Sequence, residues 1–323
     1  MLQLSGRPLT ASRLDGELFV DREQELLAIG RASQMRFNVY VLGDVGMGKT
    51  SLLRRVQAHA EGPSAFVNAA AIDGFDRLLA AIAGAVGSPV PDTAVVEGGH
   101  PLGPLRSAVD GSRTDAGPTI IVDDLEPRLR HELFGRQRDE LWELPIRWIV
   151  TGRDRLIPPA DAFFETQLRL EALDQDDLHE LLVRRAERGD GPERERLLEL
   201  AVLLPPLLAP TSPRRMLAAS RAAMVGPDPA SALSEMRRQR SARAHLSEPE
   251  TRVLETLDAI GPTHASDERL LREVGTSRSR VVQLLRALEQ DGLVMTSRDG
   301  RRKLYGAREP GVAVADRSGA TAR

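Results

Sequence analysis

The apolar positions of this chain fall into two alternating rhythms. Five short, largely β-branched runs have the length and composition of buried strands: "NVYVL" (38–42), "SAFVN" (64–68), "TIIVD" (119–123), "IRWIVT" (146–151) and "QLRLEAL" (167–173). Helical patterns lie between them. "KTSLLRRVQAHA" (49–60) puts Leu52, Leu53, Val56 and Ala60 on one stripe, and "GFDRLLAAIAGAV" (74–86) behaves likewise. Strands alternating with helices predict an α/β fold whose parallel sheet is covered on both faces. Residues 87–118 are rich in Gly and Pro and read as a long loop with one short helix near 103–110.

Beyond 173 the strand runs stop. "DQDDLHELLVRRAERG" (174–189) begins acidic and ends basic, as a helix dipole favours. Further helices are expected at 192–204, 213–225 and 229–243, with a break at "VGPDPAS" (225–231). A third unit starts near His245. Ser247 and Glu250 have capping-box spacing ahead of a helix that Gly261 ends. Helices at 266–275 and 276–292 follow, then a hairpin over 293–307 turning at Asp299-Gly300. Three helices and such a hairpin predict a winged helix-turn-helix. The expected organisation is an N-terminal extension (1–16), an α/β core (17–173), a helical subdomain and linker (174–244), the winged helix-turn-helix (245–308) and a disordered tail (309–323).

Composition narrows the class. With 41% hydrophobic and 28% charged residues, the balance is that of a soluble globular protein. No apolar stretch reaches the roughly 20 residues of a membrane span, and the opening residues lack the apolar core of a secretory signal. Cys is absent, which excludes disulfides, thiolate metal sites and a cysteine nucleophile; a cytoplasmic protein is expected. Aromatic content of 3% predicts cores of Leu, Val, Ile and Ala. Net charge is −3, so any basic surface is local. Of 44 Lys plus Arg, lysine occurs only at Lys49 and Lys303. In so Arg-rich a chain, a surviving lysine points to a chemical reason.

Lys49 sits in "GDVGMGKTS" (43–51), which fits G-x-x-x-x-G-K-[ST] through Gly43, Gly48, Lys49 and Thr50. A strand run precedes the motif and a helical pattern follows it. Backbone N–H groups of such a loop, Gly46 included, curl around phosphates, and the helix N-terminus adds partial positive charge. The slender Lys49 ammonium fits between phosphates where a guanidinium fork does not. Thr50 offers a hydroxyl to Mg²⁺, and Thr50 and Ser51 are expected to bind the nucleotide with the loop. "TIIVDD" (119–124) supplies the acidic strand end: Asp123 for the metal and Asp124 to polarise an attacking water. Asp is shorter than the Glu usual there, which predicts slow hydrolysis.

Further segments carry a family resemblance. "FVDREQELLAI" (19–29) resembles the "F-V-x-R-E-x-E-L" box that opens AAA+ initiator ATPases and the related STAND and archaeal switch ATPases; this implies Val20 and Arg22 along the adenine. "AFVNA" (65–69) resembles that family's second strand, ending at Asn68. "IVTGRD" (149–154) resembles sensor 1, implying γ-phosphate contacts from Thr151 and Arg153. "TSPRRML" (211–217) resembles sensor 2 of a helical lid, with Thr211 in place of the usual Gly; it implies Pro213 near the base and Arg214 towards the phosphates. The resemblance spans about 17–225 and implies an ATPase using ATP/ADP and Mg²⁺. It further implies a nucleotide-dependent homo-oligomer or partner assembly, with an arginine finger sought among Arg128, Arg130, Arg136 and Arg138, of which Arg136 and Arg138 are favoured.

The C-terminal unit carries its charge where a DNA reader needs it. Over 276–303 seven basic residues less three acids leave a net charge of +4, in a chain of −3. The N-terminal part of the third helix offers Ser277, Arg278, Arg280 and Gln283 to phosphates and base edges, and the wing offers Arg298, Arg301, Arg302 and Lys303. The expected function is an ATP-controlled, duplex-DNA-binding switch acting in replication initiation, mobile-element control or phage defence. A STAND-like signalling switch closed by its winged helix, or an ATP-gated transcription regulator, fits the same residues.

Overall fold

A computed structural model describes residues 4–60, 62–87, 100–110, 117–225, 229–299 and 302–308. Most of the Gly/Pro-rich stretch (88–99 and 111–116), the break at 226–228, Gly300 of the expected turn, Arg301 and the tail 309–323 lie outside the described residues. The chain divides into two compact units: Arg7–Glu171, and Ala172–Arg323 together with Met1–Gly6.

In the first unit the β-branched runs become strands β1 (Val39–Leu42), β2 (Ser64–Asn68), β3 (Thr119–Asp123), β4 (Arg147–Gly152) and β5 (Thr166–Arg169). They form one sheet in the order β2-β3-β4-β1-β5, every pair parallel. The expected α/β architecture is the one found. Alternation along the strands sorts side chains to two faces. Tyr40, Ile120, Val122, Trp148 and Val150 point to one core, where Leu78, Leu79 and Ile82 of helix Phe75–Val86 cover them. Val39, Val41, Ile121 and Ile149 point to the other, against Leu52 and Leu53 of helix Lys49–Ala58 and Ile29 and Ala32 of helix Glu23–Gln34. Burial on both faces explains why these strands read as nearly continuous apolar runs.

Two expectations need correction. The fifth strand ends at Arg169, not 173, because its partner β1 ends at Leu42; Leu173 pairs with Thr211 instead. The core is not purely aliphatic. Phe134 lies 5.1 Å from Trp148, 5.0 Å from Phe163 and 4.9 Å from Phe164, ring centroid to centroid, so one sheet face is sealed by aromatics that the low average content conceals. Residues 205–208 form a short helix with Pro205 at its start, where a missing N–H costs nothing.

The second unit is helical until its end. Asp174 caps helix Gln175–Ala186 through hydrogen bonds from the Asp176 and Asp177 N–H groups. Helices Gly191–Leu203, Pro205–Leu208, Pro213–Val225 and Pro229–Ala244 follow. Helices Glu248–Ile260, Glu268–Val274 and Arg278–Gln290 then precede an antiparallel hairpin, β6 (Val294–Asp299) with β7 (Arg302–Ala307). Leu254, Leu257, Leu270, Val281, Leu285 and Leu288 join Val294 and Tyr305 of the hairpin in one core. The Ser247 N–H donates to Glu250 at 2.9 Å, and the Ser247 hydrogen bonds hold that carboxyl below its usual range.

Phe134 is fully buried among three aromatic rings, so Phe134→Ala leaves a cavity that those rings cannot fill. The expected loss is about 3–5 kcal/mol in urea unfolding of the full chain. A loss below about 1 kcal/mol shows that the cluster repacks.

Candidate functional site

At the C-terminal edge of the sheet, β1 gives way to the glycine-rich loop. The Gly43 N–H donates to Gly152 O at 3.2 Å, which pins the loop's start to the end of β4. Gly46 at φ 83° and Gly48 at φ 95° take left-handed backbone that a side chain would strain. Gly48 caps helix Lys49–Ala58. Among the described residues, no carbonyl or side chain accepts from the N–H groups of Gly46, Gly48, Lys49 and Thr50. An unpaired N–H array at a helix start suits an anion. The Lys49 amino group turns back onto the loop, donating to Gly43 O at 2.5 Å and Asp44 O at 3.0 Å. Burial pulls its pKa down, Asp124 opposes that, and Arg153 adds to it.

Asp123 ends β3, only 2% exposed. Its Oδ2 accepts from Thr50 Oγ1 at 2.6 Å and its Oδ1 from Thr151 Oγ1 at 2.7 Å. Thr151 Oγ1 in turn accepts from the Asp124 N–H at 2.8 Å. One carboxylate thus joins the loop helix, β3 and β4. The expectation for Thr151 changes here: the side chain is wholly buried and its hydroxyl is engaged on both sides, so it orients Asp123 and does not reach a phosphate. Asp124 has left-handed backbone, φ 53°, and presents its carboxylate to Arg153, whose Nε and Nη2 donate at 3.2 and 2.9 Å. The donor set is what a Mg²⁺-bound triphosphate needs: a free N–H array, a lysine, and a hydroxyl beside a buried carboxylate.

Solved structures share the fold that holds this arrangement. The chain resembles the Orc2 protein of Aeropyrum pernix in its ADPNP–ADP complexes, at 20% identity and a TM-score of 0.51 over 90% of either chain. It resembles the ADP form of that protein equally, at 20% and 0.51 over 91% of this chain and 92% of that one. The fold is that of the AAA+ P-loop ATPases. A looser likeness, 15% identity and a TM-score of 0.48 over 95% and 97% of the two chains, joins it to a Walker-type ATPase of Pyrococcus abyssi. No family model and no curated protein matches the sequence.

Around this site the structure adds residues that sequence reading missed. Tyr40 Oη donates to Asp154 O at 2.6 Å and accepts from Arg130 Nη1 at 2.6 Å. The pair holds the segment bearing Arg153. Gly152 is required there because a Cβ would collide with the Tyr40 hydroxyl and the Arg130 guanidinium. The one available signal was a tyrosine inside an apolar strand, in a chain with two. Arg130 is thereby removed from the finger candidates. Arg136 is exposed, while Arg138 lies over Trp142 at 4.9 Å and donates to Asp139.

Other expected residues are engaged differently. Arg22 is buried in left-handed backbone, φ 76°, and donates to Glu171 O at 2.6 Å and Glu25 at 3.0 Å. It ties the box to the end of the sheet, which leaves the partly buried Val20 as the residue of the pair with no structural bond to make. Ser51 Oγ accepts from the Leu9 N–H at 3.0 Å, so the N-terminal segment occupies that hydroxyl. Asn68 Oδ1 accepts from the Ala70 N–H, turning the chain after β2. Pro213 and Arg214 begin helix Pro213–Val225 in the other unit, with Arg214 exposed. In that unit Ser277 caps helix Arg278–Gln290, and Arg278, Arg280, Gln283, Arg298 and Arg302 are exposed. Lys303 is held: its amino group pairs with Glu289 at 2.9 Å and lies over the Tyr305 ring at 4.8 Å.

Burial pushes the Tyr40 phenol from 10.0 up to about 12, against the pull of Arg130. Its protonated form is therefore favoured by folding. That stability is fully present below about pH 10 and is lost as pH rises towards 12. Tyr40→Phe is expected to cost about 1–2 kcal/mol near neutral pH and to flatten the alkaline loss, read from urea midpoints across that window. Parallel curves for the two proteins refute the assignment.

Proposed function

We propose that this chain is a slow ATP-hydrolysing switch whose C-terminal helices and hairpin act as a winged helix on duplex DNA. The observation that carries the nucleotide half is the Asp123 carboxylate bound to Thr50 at the head of a loop with free N–H groups. The Orc2 structures, which hold ADPNP and ADP, support it. Gly43, Gly46, Gly48 and Lys49 cradle the phosphates. Thr50 and Asp123 are the residues that would hold Mg²⁺, which supplies charge neutralisation between the outer phosphates. Val20 lies along the adenine, and Pro213 and Arg214 belong to the lid.

Hydrolysis follows from the Asp124–Arg153 pair. While Arg153 donates to both oxygens of Asp124, that carboxylate is occupied. A γ-phosphate competes for the guanidinium. Arg153 then stabilises the transferring group, and Asp124 is released to orient water and take its proton. The short reach of Asp keeps turnover slow. Arg136, exposed before β4, is the residue suited to complete a neighbour's site in a nucleotide-dependent homo-oligomer.

The DNA half rests on Ser277, Arg278, Arg280 and Gln283 at the exposed start of one helix, with Arg298 and Arg302 on the hairpin beside it. Replication initiation, mobile-element control and phage defence are roles that use such a protein.

Binding and turnover measured together test this. Lys49→Ala is expected to weaken Mg·ATP binding about tenfold or more. Asp124→Asn is expected to keep binding and lose about a hundredfold or more in hydrolysis. The Arg278→Ala/Arg280→Ala protein is expected to lower the salt slope of duplex-DNA binding by about two. A wild-type chain that binds no Mg·ATP would falsify the nucleotide reading. An unchanged DNA affinity and slope in the double variant sinks the DNA reading.

A further inference from the structure

Helices Pro205–Leu208, Pro213–Val225 and Pro229–Ala244 meet around a cleft of about 180 Å³. Arg215, Arg240 and Arg243 line it, and among the described residues no Asp or Glu does. The Nε atoms of Arg215 and Arg243 are buried without a hydrogen-bond partner. A guanidinium withdrawn from water without an acceptor is destabilising. The protein compensates in part: Arg240 donates to Pro206 O at 2.7 Å, and Arg243 Nη2 donates to Asp258 at 3.4 Å. Glu235, on the same helix, is taken up by Arg238 and Arg308. Burial, and then repulsion from Arg243, pull the Arg215 pKa down to about 10, while Asp258 opposes the shift.

We propose that this cleft is a phosphate site, in which the Arg215, Arg240 and Arg243 guanidiniums hold one tetrahedral oxyanion. Planar, five-donor guanidiniums are the side chains best suited to bridge phosphate oxygens. The space is below the roughly 300–1,000 Å³ of pockets that enclose whole small molecules, so the group bound is the phosphate and not a nucleoside body. Arg240 and Arg243 lie three apart on one helix and share a face, while Arg215 comes from another. An oxyanion here therefore clamps helix Pro213–Val225, which starts beside Arg214, to the helix that leads into the C-terminal helices. It also competes with Asp258 for Arg243. The source is either free phosphate or a backbone phosphate of DNA. The chemistry of the cleft is the same for both; free phosphate rests on neither half of the proposed function, whereas a DNA phosphate rests on its DNA half.

Isothermal titration with inorganic phosphate, on the full-length Lys49→Ala chain, separates this site from the loop. One phosphate per chain is expected, and adding Arg215→Gln is expected to weaken it about tenfold or more. Arg240→Gln, at an exposed position, should weaken it likewise. In the ligand-free state Arg215→Gln is expected to melt no lower than its parent, because it removes uncompensated charge. If free phosphate does not bind but Arg215→Gln lowers the salt slope of duplex-DNA binding by about one, the oxyanion is a backbone phosphate. If neither phosphate binding nor the slope responds to Arg215→Gln and Arg240→Gln, the proposal is wrong.

Discussion

Asp123 is a carboxylate taken almost wholly out of water, and its two oxygens are given to two threonine hydroxyls on two other elements. A buried carboxylate without donors is strongly unfavourable, so the bonds from Thr50 and Thr151 are obligatory rather than decorative. Each fixes something beyond itself. Thr50 is the second residue of the loop helix, so its bond sets the height of the glycine loop above β3. Thr151 also accepts from the Asp124 N–H, so β4 sets the turn that leaves Asp124 in left-handed backbone. The positions of loop, acidic strand end and Arg153 are therefore one condition, met around a single side chain.

The same economy holds one layer out. Tyr40 stands on β1, Arg130 on helix Pro127–His131, and Asp154 just past β4. Their hydrogen bonds close on Gly152, where no side chain fits. Neutral phenol and charged guanidinium satisfy each other inside the aromatic face of the sheet. That is an expensive place for either alone.

What could be read from the sequence was what consecutive residues impose on one another. "GDVGMGKTS" and "TIIVDD" each hold their own chemistry within nine residues or fewer, and strand periodicity located all five strands of the sheet. Partners distant in the chain could not be read. Thr151 was legible as a residue of the site, but its engagement with Asp123 depends on which strands are neighbours. Arg22 was legible as part of a box, yet its bond to Glu171 O crosses 149 positions. Tyr40 and Arg130 are 90 positions apart. Average composition misled for the same reason: a low aromatic fraction says nothing about whether the few rings are gathered.

The two lysines show how far residue type alone carries an argument. Both sit where phosphate contacts were expected, and both are engaged with the protein. Lys49 donates to two carbonyls of its own loop, neutral oxygens for which a phosphate, being charged, competes. Lys303 is different. It pairs with Glu289, which also accepts from Thr296 on the other strand of the hairpin. Lys303 and Thr296 together fix the hairpin against helix Arg278–Gln290. Releasing Lys303 to a phosphate would leave Glu289 facing that same phosphate, a like-charge contact that opposes binding. On the DNA reading, Lys303 is therefore a positioning residue. On that reading the contacts are left to Arg278 and Arg280 on the helix and to Arg298 and Arg302 on the hairpin that Lys303 helps to fix against it.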